Sequence, residues 1–355
     1  MRFLFVTGRE TQYQRNDVLL RAFNRIGAVD IVGVNKRPKS IAWNSLRLSF
    51  KLLPKLMRRS YDLIFVGFYG QLLIYPVRIV SRAPILFDAF ISTFDTLASD
   101  RKLVQPGSIS SRILIEFDRA ACNFASHVLL DTQAHVDYFV DLYDLQESKV
   151  SALPVGCNED IFYPQPGPLP GSITRVLHYS SYLPLHGVDT IIRAAQLVQG
   201  KPIEFLLIGD GQSSANFKHL AAKMGVNNIK FVNSIPVTDL PAEIAAADIC
   251  LGGHFGDSDK ATRVIPGKIY QMLAMEKPVI ASNRGSNKDF LRHEVSALLC
   301  TPNNPEDLSR AILRLHEDEN LRREIAKNGR QAYLAFASEK LITASLLTIV
   351  QELVD

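Results

Sequence analysis

Short runs of aliphatic and aromatic residues recur along the chain, separated by segments whose apolar positions return every three or four residues. In the first half the runs fall at residues 3–6, 30–34, 63–66, 85–87, 128–130 and 150–154. They are rich in Val, Ile, Leu and Phe and lack clean polar alternation, the pattern of strands buried on both faces of a parallel sheet. The segments between them have helical spacing, as Ile113, Phe117, Ala120, Ala121 and Phe124 illustrate. One stretch, 63–80, approaches the length of a membrane span but contains Gly67, Gly70, Gln71, Pro76 and Arg78. A strand, a turn and a helix account for it better.

A break follows at Tyr163-Pro164-Gln165-Pro166-Gly167-Pro168-Leu169-Pro170-Gly171. Four prolines and two glycines here exclude a helix or a central strand. The alternation then restarts, with runs at 176–179, 205–208, 230–232, 249–251, 279–281 and 297–299. The tail from Pro305 is helical, with Leu308, Ile312 and Leu315 on one stripe. Two α/β series predict two doubly wound domains, 1–165 and 172–336, with right-handed crossovers. The last helix, about 337–355, is free to pack back on the first domain. Such sheets bind ligands at the carboxyl ends of their strands, so the expected site is a central cleft between facing domains.

Composition changes this picture little. The chain has 355 residues, 47% hydrophobic and 21% charged, enough apolar material for two cores. Its four cysteines, Cys122, Cys157, Cys250 and Cys300, are far apart and flanked by apolar residues. They read as buried thiols rather than a metal or redox pair, which suits a reducing compartment. No signal peptide is legible, and a cytoplasmic protein is expected. The net charge of +4 is uneven, because residues 1–60 hold thirteen Lys/Arg against three Asp/Glu. That asymmetry points to an anionic partner.

The sharpest chemical signal lies in the stretch 263–281. Pro266 suits the first turn of a helix that ends before Pro278. Arg263 and Lys268 sit at its N-terminal end, with Lys260 just before. A helix N-terminus ringed by cations can hold an anion, and a diphosphate is the natural occupant. A solvated basic face beside a core helix is the plain alternative.

This stretch, with Leu251-Gly252-Gly253-His254-Phe255-Gly256 before it and 303–312 after it, resembles the donor half of family 4 glycosyltransferases of the GT-B fold. That family reads F-G, then a helix of the type E-A-M-A-x-G-K-P-V-I-A. Gln271 falls where the family has the second Glu of its E-x7-E motif, and Arg263 falls at the first. The segment is similar to a branch with P-x-K-x-Y-Q at the helix start. The resemblance implies an α/β protein of GT-B type, with two Rossmann-like domains facing a cleft. It implies transfer from a nucleoside-diphosphate sugar to an acceptor hydroxyl, retaining and metal-independent, in polysaccharide or glycolipid synthesis. No cofactor beyond the donor is expected.

Ser180-Ser181-Tyr182-Leu183-Pro184-Leu185-His186-Gly187-Val188-Asp189 resembles the family's G-R-L-x-x-x-K-G-V-D, whose Arg and Lys grip the diphosphate. Tyr182 and His186 replace them, so Lys260, Arg263 and Lys268 are the expected substitutes. A capping or core role is the alternative for His186. The Gly209-Asp210-Gly211 turn nearly fits a dinucleotide fingerprint, but Ser214 stands at the third glycine position. It matches the glycosyltransferase turn equally well. Asp257-Ser258-Asp259 has the spacing of a metal triplet, yet GT-B enzymes need none, so no metal ligand is assigned.

In the first domain Asp88 ends a strand where the family places a polar catalytic residue. A helix cap or an arginine partner is its alternative role. Gly8 follows the first strand and would let a ligand approach the backbone. The assigned catalytic residues are therefore Asp88, Arg263 and Lys268. The donor-binding residues are Gly8, Ser181, His186, Gly209, Phe255, Gly256, Lys260, Tyr270 and Gln271.

The segment 44–59 places Leu46, Phe50, Leu53 and Met57 on one helical stripe and Arg47, Lys51, Lys55 and Arg58 on another. A basic amphipathic helix can lie on anionic lipid, which would suit a lipid-linked acceptor at the inner membrane face. An ordinary domain helix also has an apolar stripe. Nucleic acid is not an expected partner, since no such module is visible. Other readings are a non-catalytic nucleotide-sugar or glycan-binding protein, a nicotinamide dehydrogenase and a sugar-nucleotide epimerase.

Overall fold

The structure is a computed structural model, and it describes residues 1–36, 40–58, 60–100, 103–168, 171–211 and 213–355. Arg37, Lys39, Arg59, Leu169, Pro170 and Gln212, which the sequence reading touches, lie outside the described residues. The chain divides into two compact units, Met1–Gly156 with Glu339–Asp355, and Cys157–Ser338.

The first unit alternates strand and helix: β1 (Arg2–Glu10), α1 (Gln14–Ile26), β2 (Ala28–Val34), α2 (Ile41–Arg58), β3 (Leu63–Val66), α3 (Ile74–Val80), β4 (Ile85–Asp88), α4 (Ile109–Phe124), β5 (His127–Leu130), α5 (Gln133–Tyr143) and β6 (Val150–Ala152). The strands pair in parallel in the order β2-β1-β3-β4-β5-β6. Both faces are covered, so β3 and β4 are buried along their whole length. Leu48 and Leu52 of α2 join Ile74, Val77, Ala121 and Phe139 in one core layer. Val18, Leu19 and Phe23 of α1 form the other layer. Side-chain caps fix two helix starts: Ser108 accepts from the Ser111 N–H, and Thr132 accepts from the His135 N–H. The stretch 63–80 is strand, turn and helix, as its glycines and Pro76 require.

The second unit repeats the plan: β7 (Thr174–Ser180), α6 (Val188–Leu197), β8 (Ile203–Gly209), α7 (Ser214–Lys223), β9 (Ile229–Val232), α8 (Leu240–Ala246), β10 (Ile249–Gly253), α9 (Lys260–Arg263), α10 (Gly267–Ala274), β11 (Val279–Ser282), α11 (Gly285–Phe290), β12 (Leu298–Cys300), α12 (Pro305–Glu317) and α13 (Glu319–Phe336). Its parallel strands run in the order β12-β11-β10-β7-β8-β9. The final helix, α14 (Glu339–Val354), belongs to the first unit. Its Ile342, Leu346 and Val350 pack among Val18, Leu19 and Phe23. Buried Glu339 anchors its start through ion pairs to Arg21 (2.7 Å) and Arg25. Together α13 and α14 are long and apolar enough to cross a membrane by length and composition, but the helix is interrupted at Ala337-Ser338 and the apolar stripe of α14 is core.

Each sequence-predicted run coincides with a strand to within two residues at each end, except that β1 runs four residues beyond its predicted end. The proline-rich break lies inside the second unit. The division falls at Gly156/Cys157. The cause is packing: the Cys157 thiol sits 3.3 Å from the Tyr333 hydroxyl of α13, and Phe162 is buried. All four cysteines are free and buried.

Candidate functional site

In the second unit β7 and β10 are neighbours, yet the chain leaves them in opposite directions across the sheet. This is the topological switch point, and a crevice opens outside the carboxyl ends of two such strands. The chain fills its rim with basic groups. His178 and Ser180 lie on the end of β7, His186 follows in the next turn, and His254 follows β10. Lys268 is the second residue of α10.

Glycines let the two loops meet. Gly187 takes φ +63°, and a Cβ there would fall 2.3 Å from the Gly256 nitrogen. The Phe255 and Gly256 N–H groups donate to the His186 and Leu185 carbonyls at 3.3 and 3.1 Å. The loops are thus joined backbone to backbone. The His186 ring stacks on His254 with centroids 5.6 Å apart and planes 28° from parallel.

The electrostatics of this cluster are one-sided. Burial comes first in holding His178, His186 and His254 well below their ordinary pKa, and the Lys268 ammonium adds to it in all three. Burial lowers Lys268 itself to about 7. Every charged neighbour acting on these four groups is itself basic. Lys268 is 8% exposed, and its Nζ has no hydrogen-bond partner among the described residues. The buried Nδ1 of His254 is equally unpartnered. His178 is satisfied: its Nδ1–H donates to the Leu251 carbonyl at 3.0 Å, and its Nε2 accepts from Ser180 Oγ at 3.1 Å. His186 accepts the Leu183 N–H through Nδ1 at 3.2 Å, which leaves its proton on Nε2. Buried unpaired donors of this kind are costly, and an anion would satisfy them. The positive end of the α10 dipole adds to the attraction.

The assigned residues sort unevenly. Lys268 and His186 belong to the cluster. Ser181 is exposed at the end of β7, and Lys260 and Arg263 bound the short helix α9 and are partly exposed. Lys260 acts on His254, which places its charge at the cluster's edge. Gln271 is buried, and its Oε1 accepts from the Tyr179 hydroxyl at 2.8 Å. Its amide nitrogen remains to meet a ligand. Gly256 works through backbone approach, since a Cβ there would meet the Pro184 carbonyl at 2.2 Å. Gly209 does the same against the Ser180 carbonyl.

Other assigned residues have their side chains committed to the core. Phe255 is fully buried in the core of the second unit. Tyr270 is fully buried and stacked on Phe290 at 5.7 Å, because helical geometry turns it a full 200° from Lys268. Pro266 caps α10 from outside the helix, with ψ 126°. Tyr182 cannot replace an arginine toward a ligand: its ring enters the core and its hydroxyl donates to the Leu207 carbonyl at 3.2 Å. Asp257 is ion-paired with Arg284, and no group of three or more His, Cys, Asp or Glu among the described residues is placed to hold a metal.

Gly8 and Asp88 lie in the first unit. A Cβ on Gly8 would meet the Tyr69 carbonyl at 2.5 Å, so its space is used by the chain itself. Asp88 is fully buried and ion-paired to Arg15 at 2.9 Å. Arg15 also donates to the Leu153 and Pro154 carbonyls. A carboxylate so enclosed holds strand ends together.

Sequence reasoning missed His178, His254 and Tyr179. The available signal was position: His178 and Tyr179 end one switch-point strand, and His254 follows the other.

Comparison with known proteins bears on the family and the fold. Residues 162–332 match the family described as Glycosyl transferases group 1, a stretch that lies within the second unit. An uncharacterized glycosyltransferase of Methanocaldococcus jannaschii is 25% identical over 200 residues, which is 56% of this chain and 53% of that protein. The chain spans about half or less of the length of the curated relatives it matches. Among solved structures, HepE of Anabaena in complex with UDP and glucose superposes with TM-score 0.75 at 19% identity, covering 99% of this chain and 100% of that one. Sucrose-phosphate synthase of Thermosynechococcus elongatus gives TM-score 0.79 at 17% identity over 99% of both chains. The fold is GT-B, built from two Rossmann-like sheets.

Proposed function

We propose that this chain is a group 1 glycosyltransferase that moves a sugar from a nucleoside-diphosphate donor to an acceptor hydroxyl. One observation carries the reading: a cluster of three imidazoles and one ammonium at the switch point of the second unit, with His178, His254 and Lys268 buried, His186 half-buried, and no acid acting on it among the described residues. The family match over the same unit and a structural neighbour solved with UDP and glucose support it.

In this reading the diphosphate lies against the N-terminus of α10. Lys268 Nζ and the His186 and His254 rings donate to it, with Lys260 and Arg263 closing the outer side. Gln271 meets the ribose through its amide nitrogen. Negative charge grows on the leaving diphosphate in the transition state, and fixed buried donors stabilise it without reorganising. These protein groups take the place of a metal ion, and no resident cofactor is needed. Retention of anomeric configuration follows from the resemblance. The acceptor is a glycan or lipid-linked sugar of polysaccharide or glycolipid synthesis.

The test is thermal unfolding in EDTA with UDP, GDP, ADP and TDP, followed by donor turnover with candidate acceptors. A ligand at about 100 times its Kd adds about 2.7 kcal/mol, a resolvable rise in Tm. One nucleoside diphosphate should stabilise the protein, and none doing so would remove the reading. The inward turn of Tyr182 favours a second reading, a nucleotide-sugar-binding protein without turnover. Binding without transfer or hydrolysis of any donor would select it.

A further inference from the structure

The helix α2 has two apolar faces, and only one is used by the fold. Leu48 and Leu52 are buried in the first unit's core. On the other side Trp43, Leu46, Phe50 and Met57 are 70, 49, 66 and 77% exposed. At 100° per residue these four side chains fall within an arc of about 60°, so they form one continuous ridge rather than scattered single residues. Exposed Arg47, Lys51 and Arg58 make a second stripe about 90° round the helix. The sequence holds no Asp or Glu between Asp30 and Asp62.

We propose that this face of α2 docks on an anionic lipid bilayer. The apolar ridge enters the boundary between headgroups and acyl chains, and the basic stripe lies over the anionic headgroups. Trp43 sits on the ridge, and an indole prefers that interfacial depth. Charge decides between occupants. A second copy docking through the same face would set Arg47 and Lys51 against like charges, which opposes a two-fold contact. An anionic surface complements every charge on the face. The inference rests on the first unit alone and is independent of the anion cluster in the second. A chain held in this way would meet acceptors carried by the same bilayer.

The test exploits Trp43, the single tryptophan of the chain. The full chain is titrated with vesicles of phosphatidylcholine alone and of phosphatidylcholine with about 30% phosphatidylglycerol, at low salt and at about 500 mM NaCl. With the anionic vesicles the Trp43 emission should shift to the blue and become protected from acrylamide. Partitioning onto neutral vesicles, or at high salt, should be weaker by about tenfold or more. Phe50→Ser, and separately Arg47→Glu with Lys51→Glu, should each cut partitioning about tenfold with Tm unchanged, since these side chains support no core. Trp43 emission that ignores anionic vesicles would overturn the proposal. So would equal binding by the variants, or a dimer in sedimentation velocity that Phe50→Ser dissolves. The nucleotide-dependent Tm shift is read separately on the same samples, so loss of one result leaves the other intact.

Discussion

Arg15 and Asp88 form an ion pair in which both side chains are fully excluded from solvent, with Nη2 and Oδ1 2.9 Å apart. The guanidinium donates again to the Leu130, Leu153 and Pro154 carbonyls, so it ties the ends of β4, β5 and β6 to α1. Breaking a buried pair from one side strands the other charge, at a cost of about 3–5 kcal/mol. Asp88→Asn should therefore lower stability by about that amount while leaving kcat/KM of the folded fraction within about threefold of wild type. Denaturant unfolding and transfer assays on one preparation check both halves. A loss of kcat/KM by about 10³-fold with unchanged stability would return Asp88 to the catalytic group.

The two Asp88 roles show where sequence reading stops. An aspartate at a strand end is visible in the chain, but its partner Arg15 is 73 positions away, and nothing local announces that the two meet. The strands themselves were legible because burial on both faces leaves an uninterrupted apolar run, as at 63–66 and 279–281. Lys268 was legible because a proline, a lysine and a helical stripe stand together. His178 and His254 were not, since 76 residues separate them and only the β7–β10 pairing brings them to one rim. Tyr182 stands at the family's arginine position, and the direction of its side chain was equally illegible. The main chain at this residue takes φ +50°, and the ring turns inward to the Leu207 carbonyl instead of following an arginine's path.

Lys268 should trade stability for binding. In the folded protein burial lowers it from 10.5 to about 7. The unfolded chain therefore binds more protons between those values, and the stability of the unliganded protein rises with pH across that window. Lys268→Met keeps the length and removes the charge. It should abolish that slope and raise stability at neutral pH by on the order of 3 kcal/mol. The same change should cut donor transfer about 10²-fold or more, the scale of one lost preorganised donor. Melts from pH 6 to 10 without ligand, paired with kcat/KM, check both. A variant that is less stable at neutral pH would show that Lys268 is already paired.

Binding of a nucleoside diphosphate should be coupled to proton uptake. A bound diphosphate favours the charged forms of Lys268, His186 and His254, all of which burial holds down when the site is unliganded, with the Lys268 charge adding to it for the two imidazoles. Above about pH 7 the free Lys268 is mostly neutral, so each binding event must bring a proton with it. Affinity should fall by up to about tenfold per pH unit above that point, and flatten below it. Calorimetry in buffers of different ionisation enthalpy measures the uptake directly. A Kd independent of pH from 6 to 9 with no buffer dependence would place the diphosphate elsewhere.

Gly187 is the residue on which the site's geometry depends without contributing any chemistry. Its φ of +63° is one that side chains other than glycine adopt only at a cost, and a Cβ would lie 2.3 Å from the Gly256 nitrogen and from the Phe255 carbonyl carbon. Neither contact can give way by rotating a side chain, because both atoms are backbone. Gly187→Ala must therefore push the His186 turn away from the chain that follows β10, and the His186–His254 stack goes with it. The expected cost is about 1–3 kcal/mol in stability, with a larger fractional loss in nucleotide affinity than in helix content. Gly225→Ala is the matched control, since its φ is +67° and a Cβ there meets nothing within 4 Å. It should pay the conformational cost alone and keep full affinity. If the two variants lose affinity equally, the loop contact is not what assembles the basic cluster. If only Gly187→Ala loses it, the close approach of Gly187 to Gly256 holds the two imidazoles where an anion can use them.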